Sequence, residues 1–272
     1  MSGSDRFVEA NRRLWDEWAD INVRSDLYDL EGFKAGRITI PDYQRTEVGD
    51  VSGKSLLHLQ CHFGMDTLTW ARLGATVTGL DLSERALEVA RSLASEIGVE
   101  ARFVHANVLE ADRVLDEQFD VVFTSIGVLG WLPDVPRWAE VVAHFVKPGG
   151  RFYICEIHPY TWMFDDESPD PELRFRYPYF SGDEPLEFET QGSYADLEAD
   201  VKQSVHYGWN HDLGEIVSSL CDNGLRIEFL HEHRFGIEPQ FPYMQRHDDG
   251  RWYLPGGMPE IPLLFSLRAT KD

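Results

Sequence analysis

Cysteine is scarce in this sequence, with 3 in 272 residues: Cys61, Cys155 and Cys221. Their odd number and wide spacing exclude a disulfide framework and a cysteine-rich zinc site. Long apolar runs are missing too, and no window approaches the ~18 uninterrupted apolar residues of a membrane span. Asp5, Arg6, Glu9, Arg12, Arg13, Asp16 and Glu17 crowd the first thirty positions, so no signal peptide is expected and a cytoplasmic setting fits. Positive charge is the largest deficit: 25 Lys and Arg stand against 47 Asp and Glu, a net charge of −22. Such a surface repels phosphate backbones and anionic lipid, because binding to them is driven by cations that displace counterions. Neither nucleic acid nor membrane is expected as a partner. Internal repeats and low-complexity tracts are also lacking, which excludes a solenoid.

What is present is an ordinary globular composition, 43% apolar and 26% charged. Residues 5–20 place Phe7, Leu14, Trp15 and Trp18 at helical spacing, an amphipathic helix opening an N-terminal extension of residues 1–50. From residue 55 short apolar runs alternate with helical stretches. Strands are predicted at 55–59, 76–80, 101–105, 119–124 and 150–157, with helices at 66–73, 84–97 and 138–146 between them. Ser83 suits the N-cap of the second helix, and Lys147-Pro148-Gly149-Gly150 stops the third. Strands alternating with helices of this length mean right-handed crossovers and a parallel sheet. Residues 158–208 break the rhythm. They are rich in Pro and aromatics, and 158–200 holds twelve acids against Arg174 and Arg176. A stretch this long is not one structureless loop, so it reads as an insertion with some β character, placed as a cap on one domain spanning 1–272. A helix at 213–223 and strands at 225–231 and 263–269 complete the chain.

The informative segment is LLHLQCHFGMDTLTWARLGATVTGLDLSERAL, residues 56–87. A buried strand runs into a turn carrying Gly64, a helix follows, and the next strand ends in Asp81. Turn amides and a strand-end carboxylate suit a nucleoside, the carboxylate accepting from ribose hydroxyls. The three glycines that let a pyrophosphate approach a helix N-terminus are not all there, so a dinucleotide is disfavoured.

In these residues the chain resembles the class I S-adenosylmethionine-dependent methyltransferases, uncharacterised bacterial small-molecule enzymes in particular. Their first motif is matched by Leu56-Leu57-His58-Leu59-Gln60-Cys61-His62-Phe63-Gly64. Later motifs follow in the family's order: GLDLS with Asp81, FVHANV with Asn107, FDVVFTSIGVLGWLPD and VKPGGRFYICEIHP. The resemblance covers roughly residues 50–158. It implies a Rossmann-like, doubly wound, mostly parallel sheet of about seven strands, S-adenosylmethionine as cofactor and S-adenosylhomocysteine as product. By this correspondence Gln60, Cys61, His62 and Gly64 lie along the methionine, with Asp66 near its amino group. Asp81 and Leu82 hold ribose and adenine, Asn107 and Val108 meet the adenine edge, and Ser125 lies beside the sulfonium. Gln60 and His62 replace glycines, which is expected to loosen the turn and bring two side chains into the pocket. Asn107 replaces the usual Asp, and its amide oxygen can still accept from the adenine amino group.

Methyl transfer from a sulfonium is an in-line displacement in which alignment and dryness supply most of the catalysis. A hydroxyl or amine acceptor needs a base, commonly His. His158, leaving the strand 150–157 beside Glu156, is the first candidate, kept protonated to higher pH by its acidic surroundings. His211, at the start of the helix 213–223, is the second. His231 and His233 alternate on a strand without matching carboxylate or Cys spacing, so no metal is expected. The acceptor is expected to be a small molecule. Alternatively, the chain binds the cofactor as a sensor and transfers nothing.

Overall fold

In the computed structural model, which describes residues 5–180, 182 and 184–272, eleven strands and seven α-helices follow one another. The N-terminal helices are α1 (Asp5–Asn22), α2 (Leu30–Lys34) and α3 (Asp42–Val48). Next come β1 (Ser55–Leu59), α4 (Met65–Arg72), β2 (Thr76–Asp81), α5 (Glu84–Ile97), β3 (Arg102–His105), β4 (Phe119–Thr124), α6 (Val135–Phe145) and β5 (Val146–Ile157). The remainder is β6 (Leu186–Glu189), β7 (Val205–Gly208), α7 (Leu213–Asp222), β8 (Leu225–His233), β9 (Gln245–Arg246), β10 (Trp252–Tyr253) and β11 (Leu264–Lys271).

Seven strands form one sheet in the order β3-β2-β1-β4-β5-β11-β8. The first five are parallel, and β11 runs antiparallel to both neighbours. Each central strand buries both faces, which is why it reads as an apolar run. Leu57, Leu59, Val122, Phe152 and Ile154 pack beneath α6 and α7 with Trp138 and Phe145. Leu56, Val121, Phe123, Tyr153 and Cys155 point to the other face, with Trp70 and Val48. The alternation is the two-residue period of a strand.

The sheet is that of the expected doubly wound class. Two boundaries differ from the sequence reading by three residues or more. Helix α6 starts three residues earlier than the pattern suggested, because Asp134 caps it by accepting from Arg137 N–H and Pro136 sits in its first turn. The strand after it begins at Val146, paired with Phe119, so the Pro-Gly-Gly step lies inside an irregular strand. In the polar stretch before residue 50, two short helices are found. Within 158–208, β6 and β7 pair antiparallel apart from the main sheet.

The strand order reverses between β1 and β4, the neighbours on either side of which run outward in opposite directions. That crevice, beyond the strands' carboxyl ends, is where open α/β sheets bind ligands. Helix α1 lies over it. Its Asn11 side chain donates to Tyr207 O (2.8 Å) and accepts from Tyr207 N (2.9 Å), and Trp18 Nε1–H donates to Gly192 O (3.0 Å). The N-terminal helix and the 158–208 segment are thus stitched together above the sheet edge.

Candidate cofactor and acceptor site

The turn after β1 is built against ordinary backbone preference. Gln60, His62 and Gly64 have φ of 56°, 52° and 79°, the left-handed region that costs an L-residue roughly 1–2 kcal/mol. Gln60 and His62 therefore adopt a backbone conformation that favours glycine, and the turn stays tight. Hydrogen bonds hold it: Cys61 N–H to Leu80 O (2.9 Å), Gly64 N–H to Cys61 O (3.0 Å) and His62 N–H to Asp81 Oδ2 (2.7 Å). Gly64 is required twice over, since a Cβ there would meet the Phe103 ring at 2.9 Å and Ala90 Cβ at 3.0 Å.

A cavity of about 560 Å³ opens where β1, β2 and β4 end. All ten residues assigned to the cofactor from sequence line it: Gln60, Cys61, His62, Gly64, Asp66, Asp81, Leu82, Asn107, Val108 and Ser125. Asp81 accepts from His62 N–H and Ser83 N–H (2.8 Å), yet burial outweighs these donors and lifts its pKa to about 6. Its carboxylate retains lone pairs for a ligand. Burial likewise raises Asp66, which accepts from Thr39 Oγ1 (2.5 Å) with Arg37 nearby. Asn107 caps the following 3₁₀ turn through Leu109 N–H (3.1 Å), leaving its amide oxygen a second lone pair. Cys61 is buried and its thiol is pushed well up, so it fills space as a small apolar group.

His58 is buried between Thr67 Oγ1 (2.8 Å to Nδ1) and Ser125 Oγ (2.9 Å to Nε2). Burial drops its pKa to about 3, so it is neutral and orients Ser125 at the end of β4. Below Ser125, the loop 127–129 is fixed by Glu156, whose carboxylate accepts from Gly127, Val128 and Leu129 N–H at 2.6, 2.8 and 3.0 Å.

The two candidate bases are elsewhere. His158 is 4% exposed and does not line the cavity. Its Nδ1 accepts from Tyr160 N–H (3.1 Å), which leaves Nε2–H to donate to Glu232 (2.8 Å) on the far side of β11. Burial lowers its pKa in spite of Glu232, the reverse of the acidic-neighbour expectation. His211 is 5% exposed, bonded to Leu132 O (2.7 Å) and Glu215 (3.0 Å), and pins a loop to α7. Each imidazole has both nitrogens engaged and none facing the cavity. His231 and His233 pair with Glu47 and Ser266.

Further residues line the cavity. Trp15 turns out of the helical core stripe and meets the rings of His62 and Trp131, each at 5.2 Å. Tyr28 Oη contacts His62 Nδ1 (3.4 Å) and hydrogen-bonds Tyr194 Oη, which also accepts from Asn22 Nδ2 (2.9 Å). Arg37, Thr39, Trp162, Ile237 and Glu238 complete the far wall. Nothing in one sequence marks Tyr28, Arg37, Thr39, Ile237 and Glu238, because they arrive from segments without periodic pattern; an acid in an acidic chain carries no signal.

Known proteins share both sequence and fold with this chain. A methyltransferase-domain family model matches residues 57–152. The ubiquinone biosynthesis O-methyltransferase of Klebsiella pneumoniae is 36% identical over 140 residues, 50% of this chain and 57% of that protein. A crystal structure of an S-adenosylmethionine-dependent methyltransferase from Mesorhizobium loti superposes with a TM-score of 0.58 at 21% identity, over 87% of this chain and 99% of that one. Over residues 57–152 the chain matches a methyltransferase domain, and its sheet has the fold of S-adenosylmethionine-dependent methyltransferases. It spans little more than half the length of the curated relative. A glycopeptide N-methyltransferase solved with S-adenosylmethionine shares the fold, with a TM-score of 0.52 at 19% identity over 84% of this chain and 90% of that one.

The methyltransferase cofactor fits the residues present. Among the described residues, Gln60 Oε1 and His62 Nε2 are buried without a hydrogen-bond partner, an arrangement that costs free energy until a ligand supplies one. Both belong to the turn along which the methionine is assigned.

Proposed function

We propose that this protein transfers a methyl group from S-adenosylmethionine to a small-molecule acceptor held beneath the 158–208 segment. The observation that carries the reading is the single cavity wall on which the turn 60–64, Asp81, Asn107 and Ser125 meet at the strand ends. Asp81 would accept from the ribose hydroxyls, Asn107 and Val108 would meet the adenine, and Asp66 with Gln60 would hold the methionine end. The bound cofactor supplies an electrophilic methyl on a sulfonium. The chain's part is positioning and exclusion of water, worth ~7–11 kcal/mol for a well-aligned pair.

The roof supports this division of labour. Trp15 and Trp18 from α1, with Trp162 and Tyr194 from the 158–208 segment, face the crevice across from the turn. We assign that segment as a cap on the acceptor side, and residues 1–50 as an extension completing it. Acidity suits a cationic cofactor more than a phosphorylated one. His158 and His211 drop out as bases and hold structure instead.

The test is twofold. Calorimetry with S-adenosylhomocysteine should show binding, and methyl-labelled cofactor incubated with a small-molecule extract should give a labelled product. Binding without any labelled product would favour a sensor, and absence of binding would overturn the reading.

A further inference from the structure

The far wall of the cavity holds a carboxylate that the cofactor assignment leaves without work. Glu238 lies beyond β8, next to Ile237, outside the 57–152 segment that carries the cofactor motifs. Among the described residues its side chain has no hydrogen bond or ion pair. Glu238 is half-buried, and a carboxylate partly withdrawn from water without a partner favours the arrival of a cation or donor. Around the same cavity stand Trp18, Trp131, Trp162, Tyr28 and Tyr194. Resting on the methyltransferase reading above, we propose that Glu238 is the acceptor-binding carboxylate and that the acceptor is an amine, carried in as an ammonium.

The charges lining the cavity point to that class. Asp66, Asp81 and Glu238 face Arg37, the one Lys or Arg among the described lining residues. Arg37 is already paired with Asp29 (2.9 Å) and donates to Tyr28 O (2.6 Å). A carboxylate or phosphate acceptor would meet Glu238 with no free cation to offset it. A neutral hydroxyl would satisfy the hydrogen bond but leave the charge unpaired. An ammonium supplies both, and aromatic faces attract it further.

The same pairing disposes of the proton. Burial and the nearby Glu156 both raise the pKa of Glu238, making it a better acceptor than an exposed carboxylate. The ammonium gives one proton to Glu238, and the freed nitrogen lone pair forms the new C–N bond. The S–CH3 bond breaks with its electrons left on sulfur. The outcome is a methylammonium, a neutral thioether and a protonated Glu238.

Three probes that share a ring and differ in head group test this: benzylamine, benzyl alcohol and benzoate, titrated into the S-adenosylhomocysteine complex near neutral pH. The amine should bind about tenfold or more tightly than either analogue, the scale of one charge-assisted hydrogen bond. Glu238→Gln should abolish that preference, with Glu238→Ala as a second variant and a melting transition certifying that each is folded. Equal binding of the three probes, no binding of the amine, a preference for benzoate, or an amine preference surviving in both variants would overturn the proposal. Failure of the wild type to bind S-adenosylhomocysteine would instead bring down the methyltransferase reading and this one with it.

Discussion

Asp81 ties backbone geometry to the ligand binding proposed above. It holds the strained turn through His62 N–H and, in the proposed complex, offers its remaining lone pairs to ribose. Its pKa of about 6 lies above the unfolded value of 3.8. For the free protein, the stabilising contribution is therefore complete below 3.8 and is lost as pH rises through about 6. Ligand binding has the opposite sign, because only the ionised carboxylate accepts from both hydroxyls. S-adenosylhomocysteine affinity should be flat well above pH 6 and decline as pH falls through it. Asp81→Asn should weaken binding by ~1.5–3 kcal/mol and remove that pH dependence. Calorimetry between about pH 8 and about pH 5 checks both, and an affinity indifferent to pH in the wild type would remove Asp81 from the ribose. His58 is the instructive counterpart: an imidazole kept neutral by burial and used to orient Ser125.

At the scale of elements, the turn into α4 is held by two separable constraints, a left-handed backbone and a missing side chain. Gly98, the C-cap of α5, has a similar φ of 67° and nothing within 4 Å of an added Cβ. Gly98→Ala should then cost only the backbone term, about 1 kcal/mol. Gly64→Ala adds a collision with Phe103 and Ala90 and should cost about 2–4 kcal/mol. Denaturant midpoints of the two variants compare them, and equal losses would show that packing around Gly64 yields freely. The elements legible from sequence were those that bury a periodic face, β1 to β5 and the helices between them, because burial imposes the pattern being read. The site followed the same rule. Gln60 to Gly64, Asp81, Asn107 and Ser125 sit at the ends of patterned elements, so motif order placed them. Tyr28, Arg37 and Glu238 sit on connections whose conformation is fixed by contacts distant in sequence. The bases failed for a related reason: His158 leaves the strand at the right end, but its ring is held by Tyr160 N–H and by Glu232 of β8, a partner distant in sequence.

For the whole molecule, the dominant physical fact is the charge of −22. Many of the acids are matched locally, as in Arg12 with Glu9, Arg85 with Asp20 and Arg137 with Asp112. With 47 acids and 25 bases, such pairs cannot cover the excess, and folding brings the remainder together. Self-repulsion of this kind destabilises the compact state, and salt weakens it because the Debye length shrinks from about 30 Å at 0.01 M to about 3 Å at 1 M. Surface ion pairs are weakened by the same screening, but each contributes only ~0–1 kcal/mol. Repulsion acts among all the unmatched acids, so it should win. The melting temperature should therefore rise between about 0.02 M and about 0.5 M sodium chloride near neutral pH. The rise should shrink toward about pH 5, where buried and crowded carboxyls begin to take up protons and the net charge falls. A melting temperature that stays level or drops with salt would mean that local pairing already neutralises the field, and the acidity would then lie in the arrangement of pairs and not in their excess.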